Sequence, residues 1–104
     1  MDIRHYLNRQ GQDLYQGWLD NLRDRMAQAR ITMRINRIAS GAFGDCRPVG
    51  DGVWELKIDY GPGYRVYYAQ AGRALVLLLL GGDKKTQQAD INKAIEYWHD
   101  YQER

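Results

Sequence analysis

Four basic side chains, Lys57, Arg65, Lys84 and Lys85, and four tyrosines, Tyr60, Tyr64, Tyr67 and Tyr68, are the groups of this sequence best suited to chemistry on an anion. A guanidinium forks two N–H donors toward a phosphate, an ammonium adds a compact charge, and a phenol ring offers a flat surface to an unpaired base. Lys57 and Arg65 flank Gly61-Pro62-Gly63, a strong turn signal, so pairing the flanks as a hairpin brings both side chains to one sheet surface. Lys84 and Lys85 follow the next apolar run. These cations are expected to converge, bare to solvent, on an open sheet face or its rim and to grip one phosphodiester. Cations interleaved with aromatics suit single-stranded RNA, although ordinary sheet packing accounts for some of the tyrosines. A second group, Arg30, Arg34 and Arg37, recurs at i, i+4 and i+7 and forms one helical stripe. It reads either as a track for nucleic-acid phosphates or as a solvated face that meets an acidic partner.

Other chemistries lack their residues. The sequence has no P-loop, GxGxxG, HExxH or GxSxG pattern. Cys46 is the single cysteine, which excludes an internal disulfide and any multi-cysteine zinc site. It is expected as a half-buried thiol, His5 as a strand residue and His99 as a polar helix-face residue. No metal and no cofactor are therefore expected. The formal net charge is only +2, yet residues 23–47 hold six arginines against two aspartates. Eleven of the fifteen basic residues are arginine, a bias toward anionic partners. No apolar run reaches the ~18 residues of a membrane span, and the first residues lack an apolar signal segment. A cytoplasmic location, away from any membrane, is expected.

Periodicity predicts the elements that must hold these groups. The length of 104 residues and a hydrophobic content of 44% fit one domain spanning 1–104. Ile3–Leu7 alternates as a short strand. Asp13 can cap a helix, with Gln16 completing a capping-box pattern. Leu14, Trp18, Leu22 and Met26 follow helical spacing, as do Ile31, Ile35 and Ile38, and Gly41 supplies a stop. A turn near Arg25–Gln28 would fold this stretch into a helical hairpin. Cys46–Val49 predicts an edge strand that tolerates Pro48. Trp54, Leu56 and Ile58 alternate with Glu55, Lys57 and Asp59, and Tyr64–Ala69 is the natural hairpin partner. Ala74–Leu80 is continuously apolar, as in a strand buried on both faces at the sheet centre. Thr86 can cap a last helix carrying Ile91, Ala94, Ile95, Trp98 and Tyr101 on one face. The expected fold is α+β, an N-terminal helical hairpin and a C-terminal helix packed on one face of a small antiparallel sheet. Glu55, Lys57 and Asp59 would then lie on the uncovered face.

The stretch Gly52–Tyr68, GVWELKIDYGPGYRVYY, resembles the signature of the HigB-like addiction module killer proteins, a branch of the RelE/ParE superfamily of type II toxins. Leu77–Gln87, LLLLGGDKKTQ, is similar to that family's second block, and Phe43-Gly44-Asp45 followed by Pro48-Val49-Gly50 also fits. The resemblance implies a RelE/ParE toxin-like fold and a toxin held inactive by a small helix-turn-helix antitoxin. Operator DNA would be reached only through that antitoxin. Three activities stay open: a ribosome-dependent mRNA endonuclease that arrests translation, a non-enzymatic DNA gyrase inhibitor, and a co-repressing interaction module. In the RNA-cleaving branch the ribose 2′-hydroxyl attacks the adjacent phosphate without a metal. The resemblance carries the phosphate-binding arginine of that branch onto Arg65 and its basic position after the last strand onto Lys84 and Lys85, with Lys57 as the next candidate. Arg30, Arg34, Arg37, Tyr64 and Tyr67 are the candidates for RNA contact. Where cleaving members carry a first-strand lysine this chain has Glu55, which could serve as general base.

Overall fold

Two aspartates start the N-terminal helices by accepting the free N–H groups of the first turn. Asp13 accepts from the Gln16 amide ahead of α1 (Leu14–Asp20), and Asp24 accepts from the Met26 and Ala27 amides ahead of α2 (Arg25–Ala39). The computed structural model describes residues 1–104. The break between the helices falls at residues 21–24, ahead of the expected Arg25–Gln28. Gln28 braces it by donating to the Leu19 and Leu22 carbonyls at 2.9 and 3.2 Å. Met26, expected in the apolar series, stands 54% exposed as a result. Only half of the capping box forms, because the Gln16 side chain donates to Asp20 instead of returning to residue 13.

Five strands form one sheet: β1 (Asp2–His5), β2 (Cys46–Gly50), β3 (Val53–Ile58), β4 (Tyr64–Ala71) and β5 (Leu75–Gly82). Their order is β1-β5-β4-β3-β2, with β1 parallel to β5 and every other pairing antiparallel. The sheet is therefore mixed, and β4 rather than β5 lies at its centre. The N-terminal strand stops at His5, and Leu7 joins only an isolated bridge to Asp13. A short 3-10 turn, Lys84–Thr86, leads into α3 (Gln87–Glu103). Asp83 caps that turn by accepting from the Lys85 amide at 2.8 Å, whereas the Thr86 hydroxyl bonds to Asp90 and caps nothing.

The helices do not share a face. α1 and α2 lay Tyr15, Ile31 and Ile38 on Leu56, Val66 and Leu78, and α3 lays Ile91, Ala94 and Trp98 on the opposite surface, against Tyr67, Leu77 and Leu79. The surface expected to be open is covered along β4 and β5. The cause is β5, whose side chains are apolar on both sides and need a layer on each. Leaving either layer in water would forfeit about 1.5–3 kcal/mol for each large side chain. The glycines that end β5 serve one layer apiece. A Cβ on Gly81 would overlap the Trp18 ring of α1, and one on Gly82 would overlap the Asp90 carboxylate of α3. No helix is long and apolar enough to cross a membrane.

Candidate functional site

Strand register gathers the polar residues of β2, β3 and β4 into two rows on the α3 side of the sheet. Arg47 lies opposite Glu55, which lies opposite Tyr67; in the next row Lys57 lies opposite Arg65, which lies opposite Gly82. α3 packs mainly on β5 and β4, meets β2 near Gly50 through Ile95, and leaves the Arg47 end of β2 open, with Arg47 exposed. There a pocket of about 350 Å³ is lined by Asp45, Arg47, Glu55, Lys57, Arg65 and Gln87, with no apolar residue among them.

Glu55 is the hub of this pocket and is 2% exposed. Its carboxylate accepts from Arg47 Nε at 3.0 Å and Gln87 Nε2 at 2.9 Å, and Arg65 Nε stands 3.7 Å away. Burial alone would raise the pKa of this carboxyl. The hydrogen bonds from Gln87 and Arg47, with the charges of Arg47 and Arg65, outweigh burial and hold it below the usual carboxylate range. Glu55 is thus a fixed anion and a weak base, which sits poorly with the expected general-base role.

Arg65 is 6% exposed, not bare to solvent as the sequence suggested. It forms part of the pocket wall, where Nη1 donates to the Gly63 carbonyl at 2.5 Å and Nε has no hydrogen-bond partner. Gly63 has φ +79°, and a Cβ there would lie 3.1 Å from Arg65 Nη1 and 3.8 Å from Lys84 Cβ. The Arg65 head and the Lys84 stem therefore meet at one corner. Lys84 and Lys85 are exposed on the adjoining turn and do not line the pocket. Lys57 is half-buried in it and, unlike Arg47 and Arg65, has no carboxylate partner.

The candidate RNA-contact residues are dispersed. Tyr64 and Tyr67 fall on opposite faces and both are buried, so neither presents a ring for stacking. Tyr64 packs edge-on against Trp18, with centroids 6.2 Å apart. Tyr67 Oη is buried without a partner, and its pKa is raised, first by burial and then by the charges of Glu55 and Asp90. Arg34 turns inward and donates from Nη1 to the Lys57 carbonyl at 2.9 Å. Arg30 lies over the Tyr60 ring at 4.6 Å, and Arg37 is exposed beside Met33. With Asp59 these side chains border a smaller cavity of about 280 Å³, toward the α2 side of the β3–β4 turn.

Asp45, Arg47 and Gln87 belong to the pocket and were not singled out in the sequence. The signal for Arg47 was partial. Asp51-Gly52 is a strong hairpin turn, with both φ angles positive, and it places Arg47 near β3. A bulge at Val49 then shifts the register, so that Arg47 meets Glu55; unshifted pairing would set it against Leu56, on the other face.

Comparison with known proteins gives two results. Residues 17–97 match the family described as phage-derived protein Gp49-like (DUF891). The chain is also 49% identical over 80 residues to an uncharacterised protein of Haemophilus influenzae, an alignment that covers 77% of this chain and 81% of that protein.

Proposed function

Because the chain belongs to the phage-derived Gp49-like family, a family of toxin–antitoxin toxins with a RelE-like fold, we propose that it is a HigB-like toxin that cleaves mRNA on the ribosome. The observation that supports this reading is the pocket that gathers Arg47, Lys57 and Arg65 at one end of the sheet and holds no apolar side chain. Such a pocket favours a phosphodiester over an apolar ligand.

In this reading Arg65 and Arg47 bind the non-bridging oxygens of the scissile phosphate and stabilise the charge that builds on them as phosphorus becomes pentacovalent. The ribose 2′-oxygen forms its bond to phosphorus while the bond to the 5′-oxygen breaks, leaving a cyclic phosphate and a 5′-hydroxyl. One proton leaves the 2′-hydroxyl and one reaches the departing oxygen. Lys57, free of a carboxylate partner, delivers the second. Asp45, which lines the pocket, takes the first, and Glu55 fixes the two guanidinium groups in place. Lys84 and Lys85 attract the message from the rim. A helix-turn-helix antitoxin holds the toxin inactive and carries the pair to operator DNA, and the toxin acts in the cytoplasm.

Expression without an antitoxin tests the reading through transcript integrity and 5′-end mapping. Cleavage within translated codons is expected soon after induction. Growth arrest with intact transcripts would overturn it, and DNA-damage signalling alongside would favour gyrase as the target.

A further inference from the structure

The strand that walls the polar pocket also walls a second cavity on the other side of the sheet. Asp45 and Arg47 line the polar pocket; Cys46, between them, lines a cavity of about 310 Å³ with Phe43, Gly44, Trp54, Tyr68 and Gln70. β2 is an edge strand, so a single strand separates the two. The second cavity is built largely from planar groups. Tyr68, 2% exposed, forms its floor; the Phe43 ring lies 5.9 Å from it at 33°, and Trp54 stands opposite Tyr68 in the β3–β4 register. Phe43 and Trp54 are only half-buried and keep ring surface free. Gln70 is exposed at the lip with one amide donor group and one acceptor.

The cavity is braced from behind. Arg34 Nη2 and Cys46 Sγ both donate to the Phe43 carbonyl, at 3.4 and 3.2 Å. Gly44, at φ +69°, leaves room for the Arg34 guanidinium, which a Cβ would approach to 2.9 Å. The same Arg34 holds the Lys57 carbonyl. One half-buried guanidinium thus ties the aromatic cavity to the strand that carries the polar site.

We infer that this cavity seats one unpaired base of the RNA whose phosphate occupies the polar pocket, the strand crossing the sheet edge over β2. The inference rests on the ribonuclease reading above. Ligand class follows from charge and shape. Cations on one side of the edge call for an anion and stacked rings on the other call for a planar group, and Arg47, with 59% of its side chain exposed, stands at the crossing. A nucleotide joins both features in one short unit. An apolar protein side chain could fill the aromatic cavity but would leave the cations unmatched. Stacking accepts any base, and the Gln70 amide would set the preference among them.

The test is binding of a 2′-O-methyl RNA trinucleotide, which cannot be cleaved, followed by tryptophan fluorescence. Ligand binding is expected to quench the signal, and Trp54→Phe to remove that quench while leaving Trp18 and Trp98 to report the fold. An abasic residue at one position should weaken binding about tenfold. Gln70→Ala, an exposed change with little reach into the fold, should weaken the intact ligand severalfold and the abasic one not at all. Inorganic phosphate should bind all three proteins alike. Binding that needs Arg65 but is indifferent to every base overturns the base seat and leaves the ribonuclease reading standing. Failure of any oligonucleotide to bind overturns the base seat, while the ribonuclease reading stands or falls on transcript integrity. Loss of antitoxin binding in Gln70→Ala, with RNA affinity unchanged, would give the cavity to the antitoxin and overturn the proposal.

Discussion

The two surfaces of the β3–β4 hairpin differ by one residue of register and by almost everything else. Toward α1 and α2, Leu56, Ile58, Val66 and Tyr68 join a core without charge. Toward α3, the intervening Glu55, Lys57, Arg65 and Tyr67 place three ionisable groups and a phenol at low exposure. The buried side-chain polar atoms that lack a hydrogen-bond partner, Arg65 Nε and Tyr67 Oη, both lie on the second surface. A buried donor without an acceptor is costly. The first surface holds the fold by excluding water; the second carries that cost around a pocket able to receive an anion.

Substitutions can break this contrast, beginning with the apolar side. Leu78→Ala, at a residue with no exposure, should remove about 2–5 kcal/mol of stability in urea unfolding. A loss below 1 kcal/mol would mean that the α1–α2 layer does not carry the fold. Across the sheet, Arg65→Ala should instead act on rate, lowering mRNA cleavage about 10²–10³-fold, equivalent to about 3–4 kcal/mol of barrier. Its unfolding midpoint should move less than that of Leu78→Ala; the reverse would make Arg65 a structural residue.

Glu55→Gln comes next, at about 1–3 kcal/mol, because Arg47 and Arg65 lose the anion they share. The sign with pH is defined. The native carboxyl lies below its value in the unfolded chain, so ionised Glu55 adds stability above the ordinary carboxylate range, near pH ~4.3, and that stability is lost as pH falls through the lowered native value. Urea midpoints of the variant should therefore decline less steeply on the acid side than those of the native chain, and identical acid limbs would refute the pairing. The smallest effect is expected at the stripe on α2. Arg30→Ala removes an exposed cation–π contact with Tyr60, about 0.5–1 kcal/mol, with cleavage unchanged. A clear fall in ribosome affinity would bring the stripe into RNA recognition.

The contrast between the surfaces was only partly legible in the sequence. Alternation in β3 separated Trp54, Leu56 and Ile58 from Glu55 and Lys57, and Gly61-Pro62-Gly63 paired Lys57 with Arg65, as the register confirms. The run from Ala74 to Leu80 already demanded apolar cover on both sides, yet the helices were expected together. That demand, followed through, would have sent α3 to the far face. Two features had no local signature. The bulge at Val49 decides which face Arg47 joins, and burial of Arg65 depends on how far α3 and its leading turn reach over the end of the sheet. The stripe of Arg30, Arg34 and Arg37 showed the opposite problem. Its spacing was right, but equal spacing hid that Arg34 turns inward to a backbone carbonyl.

The claim at the centre of this account is that Arg65 and its neighbours hold a scissile phosphate. Purified protein added to ribosomes stalled on a defined message tests it directly, through the chemistry of the new RNA ends. A cyclic phosphate and a 5′-hydroxyl at a single codon, with the product lost in Arg65→Ala, is the predicted result; an uncut message, or cutting by Arg65→Ala at the native rate, would contradict it.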